Sequence, residues 1–364
     1  MNLEMKDLPT QHSSRVRDQR IGRVVRLIPP AEILDDLPLS DQQEEAVLAG
    51  RGEVAGILNR EDDRLLVVVG PCSVHDVAAA TEYADRLAGV AAELGNELCI
   101  AMRVYFEKPR TTTGWKGMIN DPHLDGSGDV NTGLHRARGL LLQVLERGIA
   151  TGSEFLDPIT PQYISDATSW AAIGARTTES QIHRQLASGL SMPVGFKNGT
   201  EGNVGMAVDA VRAAAAPHVF SGISMMGEPA ILHTRGNEDG HVILRGGRGA
   251  PNYDAGTIET LLAALRDASL PERVVIDASH DNSGKDPSRQ PGVVADVSRQ
   301  IAAGNGAIVG LMLESFLVEG RQDLGAPDSL VYGQSITDAC MGWDTTALAL
   351  DQLAGAVRSR RACK

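Results

Sequence analysis

Cysteine is scarce in this 364-residue chain, which has four: Cys72, Cys99, Cys340 and Cys363. They are scattered rather than spaced as a disulfide framework or zinc site, which fits a reducing compartment and leaves each thiol to be argued singly. Positive charge is also in deficit, with 34 Lys and Arg against 47 Asp and Glu and a formal net charge of −13. That balance excludes nucleic acid and anionic membrane surfaces as the main partner, since both reward an excess of cations. No apolar run approaches the roughly 20 residues of a membrane span, and the start, MNLEMKDLPTQHSSRVRDQR, has no apolar segment for secretion. The expectation is a cytoplasmic chain with no membrane or nucleic-acid partner, in which positive charge is local.

Four strand-like apolar runs end in a cation: AMRVYFEKPR (Arg103, Lys108, Arg110), AAIGAR (Arg176), PVGFK (Lys197) and HVILR (Arg245). A cation closing such a run sits where a buried strand emerges into a loop. Any one of them reads equally as an isolated surface or ion-paired residue. Together they point to a pocket for a ligand with several negative charges.

Residues 1 to about 16 are polar and aperiodic, expected to be mobile; IGRVVRLIPPAEILDDLP follows, its apolar residues stopped by Pro29 and Pro30, and then an amphipathic helix over roughly 41–59. This extension occupies 1–64. From Leu65 onward β-rich runs alternate with helical patterns: LLVVVG, LCIAMRVY, GSEFLD, AAIGAR, PVGFK, HVFSGIS, AILHT, HVILR, VVIDASH and AIVGLMLES. Only MMGEP separates HVFSGIS from AILHT, too short for a crossover helix, so that pair reads as an inserted β-hairpin at about 218–235. Eight strands remain, and a (β/α)8 TIM barrel over 65–364 is the economical assembly. Its strand ends then bring one residue set to one face: Cys72, Arg103 and Lys108, Glu154 and Asp157, Arg176, Lys197, Arg245, His280 and Glu314, in chain order.

Cys72, His280, Glu314 and the later Asp338 form a mixed soft and hard donor set suited to Mn²⁺, Fe²⁺, Co²⁺ or Zn²⁺ rather than Mg²⁺ or Ca²⁺. Singly, Cys72 also reads as a small buried hydrophobe and His280 as a hydrogen-bonded structural group. Arg103, Arg176 and Arg245 can grip carboxylate or phosphate bidentately, and Lys108 and Lys197 add compact charge. The turn KPRTTTGWKG supplies Arg110, Thr111, Thr112 and Thr113, either an exposed loop or a second phosphate site.

In order, GPCSVHD, MRVYFEKPRTTTGWKG, EFLDPITPQY, GARTTESQIHRQLASGL, PVGFKNGT, ILRGG, DASHDNS, LMLES and SITDAC resemble the type I 3-deoxy-D-arabino-heptulosonate 7-phosphate (DAHP) synthases of the feedback-regulated, microbial kind. The likeness runs from about Asp18 to Arg361. It implies that phosphoenolpyruvate, erythrose 4-phosphate and water give DAHP and phosphate, the first step of the shikimate pathway to aromatic amino acids. It implies a divalent metal (Mn, Co, Fe or Zn) on Cys72, His280, Glu314 and Asp338. Phosphoenolpyruvate is expected against Arg103, Lys108, Glu154, Ala175, Arg176, Lys197 and Arg245, and the sugar phosphate against Pro109, Arg110 and Thr111, with Asp338 near its hydroxyl end. Lys108 and a water on Glu154 are the expected proton handlers, with clustered cations lowering the Lys108 pKa.

The resemblance further implies an aromatic amino acid site at a subunit interface of a homodimer or homotetramer, with Asp18, Pro161, Gln162, Leu186, Leu190, Ser191, Phe220 and Gly222 at the matching positions. Gly222, where phenylalanine-sensitive relatives carry serine, leaves volume for the ring's far end and favours tyrosine. Three departures stand out: Asp281, expected to add negative charge beside the metal; Ser153 in place of a usual glycine; and GGRGAPNY, one residue longer. Cys340, two residues past Asp338, is expected to approach Cys72 and to pair with it on oxidation, a metal-free thiolate there being reactive. Rival readings are a synthase acting on another aldose, such as arabinose 5-phosphate, a noncatalytic sugar-phosphate or amino-acid sensor, and a paralogue of secondary metabolism.

Overall fold

The computed structural model describes residues 16, 18–110 and 114–363. Residues 1–15 of the segment expected to be mobile, and Thr111, Thr112 and Thr113, lie outside the described residues. In chain order, α1 (Pro30–Asp36) and α2 (Asp41–Leu58) precede β1 (Leu65–Gly70), α3 (Val77–Leu94), β2 (Leu98–Arg103), α4 (Val130–Glu146) and β3 (Ala150–Glu154). There follow α5 (Pro161–Ile164), β4 (Trp170–Ile173), α6 (Gln181–Ala187), β5 (Val194–Lys197) and α7 (Gly205–Ala214). Next come β6 (Val219–Ile223), β7 (Pro229–His233), β8 (His241–Leu244), α8 (Ala255–Asp267), β9 (Val274–Asp277) and α9 (Gln290–Ala302). The chain closes with β10 (Ile308–Glu314), β11 (Val318–Arg321), β12 (Gln334–Ser335) and α10 (Trp343–Ala362).

The eight expected strands form one closed parallel barrel in the order β1-β10-β9-β8-β5-β4-β3-β2. β6 and β7 stand apart as the antiparallel hairpin, with Val219 opposite His233. Pro30 does not stop structure but opens α1 at its first turn, where a missing N–H costs nothing. The short α5 and α6, and the small parallel pair β11 and β12, were not expected, because such short segments carry too little periodicity to register.

Alternation along the strands divides the core in two. Leu65, Val67 and Val69 of β1 face outward into the layer shared with the helices. Leu66 and Val68 face inward with Ala101, Trp170, Ala172, Ile243, Val275 and Met312, where Val54, Ile57 and Leu58 of α2 join them. The extension therefore plugs one barrel mouth, and burying each such side chain contributes about 1.5–3 kcal/mol. Gly152 makes room inside: a Cβ there would meet Trp170 and Val68 at 3.2 Å. The Trp170 indole N–H donates to His241 Nε2 at 3.1 Å, and burial lowers the His241 pKa to about 3, so the imidazole stays a neutral acceptor.

Arg138 of α4, 1% exposed, ties the extension to the barrel. It donates to the Leu37 carbonyl at 2.7 Å, to the Tyr163 carbonyl at 3.1 Å, and bidentately to Asp166 at 2.7 and 2.9 Å. Arg138→Met should lower stability in urea unfolding by about 2–3 kcal/mol, since buried acceptors lose a charged donor. A loss below about 1 kcal/mol would show that other contacts hold the extension.

Candidate active site and metal centre

Cys72 lies in the loop after β1, Glu314 ends β10 and Asp338 follows β12; their donor atoms all fall within 4.8 Å of one another. Cys72 Sγ is 3.5 Å from Asp338 Oδ2. His280 lies outside that set, with Nε2 3.9 Å from Glu314 Oε1. Its Nδ1 is 2.9 Å from Asp277 Oδ2 and 2.8 Å from Ser279 Oγ, which leaves Nε2 turned toward the carboxylate. The His280 backbone has φ 54°, a left-handed value that a non-glycine residue holds only where its surroundings impose it. Donors bound at about 2.0–2.3 Å to a shared ion lie roughly 3–4.5 Å apart, so thiol, carboxylates and imidazole fit a divalent transition metal.

Arg103 donates to Glu314 Oε1 at 2.9 Å and to the Pro71 and Cys72 carbonyls at 3.1 and 3.2 Å. Gln290 fixes the Glu314 backbone from both sides, accepting its N–H and donating to its carbonyl, each at 3.0 Å. Burial, with Glu314 adding to it, pushes the Cys72 thiol up to about 12. Burial alone would raise Asp338, but Lys108 and His280 outweigh it and bring the carboxyl down to about 2. Burial opposes ionisation of Asp277 as well, yet His280 and Lys197 hold it well below the usual carboxylate range.

Beside this corner lies a cavity of about 120 Å³. Six cations, Lys108, Arg110, Arg176, Lys197, Arg245 and Lys285, line it against two carboxylates, Glu154 and Asp338. Lys108 donates to the Cys72 carbonyl at 3.0 Å and Lys197 to Asp277 at 2.9 Å. Gly174 leaves room for the Glu154 carboxylate: a Cβ there would lie 2.2 Å from Glu154 Oε1 and would force that carboxylate to shift. A larger cavity of about 740 Å³, against His75 and Tyr332, has Arg136 as its one Lys or Arg, so the chemistry belongs to the smaller space.

The DAHP synthetase I family model matches residues 36–351. The Phe-sensitive phospho-2-dehydro-3-deoxyheptonate aldolase of Escherichia coli is 54% identical over 344 residues, 94% of this chain and 98% of that protein. The tyrosine-inhibited enzyme of Schizosaccharomyces pombe is 49% identical over 356 residues, 97% of this chain and 96% of that one. A solved phospho-2-dehydro-3-deoxyheptonate aldolase from Francisella tularensis superposes with a TM-score of 0.92 at 49% identity, covering 94% of this chain and 99% of that chain. This chain belongs to the DAHP synthetase I family.

For this family member, the cavity gathers Lys108, Pro109, Arg110, Glu154, Ala175, Arg176, Lys197, Arg245, His280 and Asp338, all expected at the site, while Thr111 is outside the described residues. Arg103 departs from expectation: it is 1% exposed and stands behind the wall, committed to Glu314. Lys108 does too, for although burial pulls its pKa down, the Cys72 sulfur and Glu314 carboxylate outweigh it and leave the pKa raised, not lowered. Asp281 does not charge the metal corner but pairs with Arg245 at 2.5 Å. Cys340 does approach Cys72, whose N–H lies 3.4 Å from its sulfur, and burial raises the pKa of both thiols, which opposes thiolate formation in the metal-free pair. Ser153 is accommodated by a 3.0 Å hydrogen bond to the Val104 carbonyl.

A separate cavity of about 580 Å³ brings together Pro161, Gln162, Leu186, Leu190, Ser191 and Phe220. Asp18 and Gly222 are not on its wall, and the volume expected at Gly222 is filled, because Leu232 Cδ1 lies 2.7 Å from where a Cβ would be. Sequence reasoning missed Asp277, Gln290, Thr200 and Lys285. A carboxylate closing the apolar run VVID was the available signal for Asp277; Lys285 and Thr200 lie in loops with no strand-end pattern.

Asp277→Asn should weaken metal binding about 10- to 100-fold, because the group orienting the imidazole loses its charge. Equilibrium dialysis with Mn²⁺ reads this, and an unchanged affinity would remove Asp277 from the metal corner.

Proposed function

We propose that the chain condenses phosphoenolpyruvate with D-erythrose 4-phosphate and water to give DAHP and phosphate in the cytoplasm, as the first step of aromatic amino acid biosynthesis. The observation that carries this most directly is the meeting of six cations with a thiol and carboxylate donor set at one barrel mouth. Cys72, His280, Glu314 and Asp338 would hold a divalent Mn, Co, Fe or Zn ion, whose Lewis acidity polarises the aldehyde when bound. Phosphoenolpyruvate lies against Lys108, Glu154, Ala175, Arg176, Lys197 and Arg245, with Arg103 beneath them. Pro109, Arg110 and Thr111 take the sugar phosphate, and Asp338 approaches its hydroxyl end.

In the reaction the C3 carbon of phosphoenolpyruvate bonds to the aldehyde carbon, water adds at C2, and phosphate departs with cleavage of its C–O bond. The cations hold the anionic groups so that C3 faces the aldehyde, which removes much of the entropic barrier. Lys108, an ammonium at neutral pH like any ordinary lysine, delivers a proton to the aldehyde oxygen. Glu154, on the cavity wall beside Gly174, orients the water and takes its proton.

Phosphoenolpyruvate consumption with erythrose 4-phosphate, measured on metal-stripped protein reloaded with Mn²⁺, Co²⁺, Fe²⁺ or Zn²⁺, tests substrate and metal together. No consumption with any metal would reject the activity. Lys108→Met should abolish turnover while leaving metal content intact, and appreciable residual activity would reject its proton-donor role.

The second cavity is proposed as the aromatic amino acid effector site, in a homodimer or homotetramer. Exposed apolar residues on the hairpin, Val219 at 57%, Met226 at 65% and Ile231 at 71%, support a subunit contact there. Tyrosine is the effector proposed. Leu232 lies beside Gly222, and the cavity's own polar lining, which includes Gln162, Ser188, Ser191, His233 and Thr234, offers partners for the phenol hydroxyl. Titration of activity with tyrosine, phenylalanine and tryptophan should show inhibition strongest for tyrosine; indifference to all three would retire the site.

A further inference from the structure

Arg245 directly follows β8 and lines the cationic cavity, but its guanidinium is already engaged. Asp281 Oδ2 lies 2.5 Å from Arg245 Nη1, and the two side chains are 16% and 7% exposed. The pair is clamped by backbone, since the Asp281 N–H donates to the Arg245 carbonyl at 3.2 Å. Gly246, at φ 75°, closes the space further: a Cβ on it would lie 2.8 Å from the Asp281 Cβ. Asp281 is therefore held on Arg245 by its own loop and cannot swing away freely.

One nitrogen of Arg245 carries that bond, and no other described residue engages the remaining side-chain N–H groups. A dianionic phosphate or a carboxylate gripping those groups is brought close to the fixed Asp281 carboxylate. Like charges at such separations, beside side chains as little exposed as this pair, repel appreciably. Arg176 differs: among the described residues its side chain bonds the Pro109 carbonyl at 3.4 Å and pairs with no carboxylate. The cavity thus combines a full-strength cation with an attenuated one.

We infer that Asp281 is an affinity-setting residue that weakens the hold of Arg245 on phosphate-bearing anions. It sets the phosphoenolpyruvate concentration needed to fill the site and limits occupancy by inorganic phosphate, the released product of the same charge type. This deepens the function proposed above and rests on the placement of phosphoenolpyruvate at Arg245.

The test compares the unmodified protein with Asp281→Asn, which keeps the shape and an acceptor oxygen, and Asp281→Ala, which removes both. Calorimetric Kd values for phosphoenolpyruvate and for inorganic phosphate are taken on Mn²⁺-loaded protein, with KM and kcat alongside. Asp281→Asn should tighten both Kd values roughly five- to tenfold, the size of a partly buried charge coupling, and should lower KM rather than raise kcat. Asp281→Ala should tighten them in the same direction. Unchanged or weaker binding in both variants overturns the inference, because Asp281 would then be neutral toward the anion or merely position Arg245. Arg245→Gln separates the two levels. If it binds phosphoenolpyruvate as tightly as the unmodified protein, the placement at Arg245 is wrong; if it loses binding while the Asp281 variants do not change, this inference alone fails.

Discussion

A single buried carboxylate joins the two halves of the site. Asp277, at the end of β9 and fully enclosed, bonds Lys197 on the anion side and His280 on the metal side, both at 2.9 Å. An unpaired charge at that depth would cost several kcal/mol, so the carboxylate, ammonium and imidazole stand or fall as a group. The closed barrel makes this possible. Parallel registry carries β5, β8 and β9 to one end together, and the loops after them need only a few residues to bring Lys197, Arg245 and His280 within reach.

The acidic composition and the cationic pocket are two sides of one arrangement. The charge of −13 belongs to the whole chain, whereas the cavity wall carries six cations and two carboxylates. Their mutual repulsion is relieved by Asp277 on Lys197 and Asp281 on Arg245. Cations compensated in this way remain preorganised for an anion, so substrate charge meets donors that need no reorganisation. The degree of compensation, different for Arg176 and Arg245, is how a fixed set of arginines is graded.

Strand order and the inserted hairpin were legible because fully buried parallel strands read as short apolar runs, and because a five-residue gap cannot hold a crossover. The candidate metal donors and most residues of the cationic cavity were legible by position at or just beyond the ends of those runs, and the resemblance suggested their roles. What could not be read was partnership. Nothing local in DASHDNS tells whether Asp281 faces the metal or Arg245, since that depends on how close Gly246 lets two loops approach. The vacancy expected at Gly222 failed for a similar reason, as its occupant, Leu232, comes from the opposite strand of the hairpin. The direction of the Lys108 shift was misread because neighbouring cations are visible in the sequence, while the carboxylate that outweighs them arrives from β10.

The metal corner shows why a buried cysteine suits this fold. With no ion beside it, the Cys72 thiol keeps its proton, and the Glu314 and Asp338 carboxylates are balanced by Arg103 and Lys108. A divalent ion held there would favour the thiolate over the thiol, so that two positive charges would enter as one proton leaves. The net change is a single charge, which limits the electrostatic cost of filling a corner that excludes water. A third carboxylate in place of Cys72 would be ionised beforehand and would crowd Glu314 and Asp338 with repulsion before any ion arrived. The thiol defers its charge until the metal supplies the compensation, and so the same packed loop can be stable both with and without it.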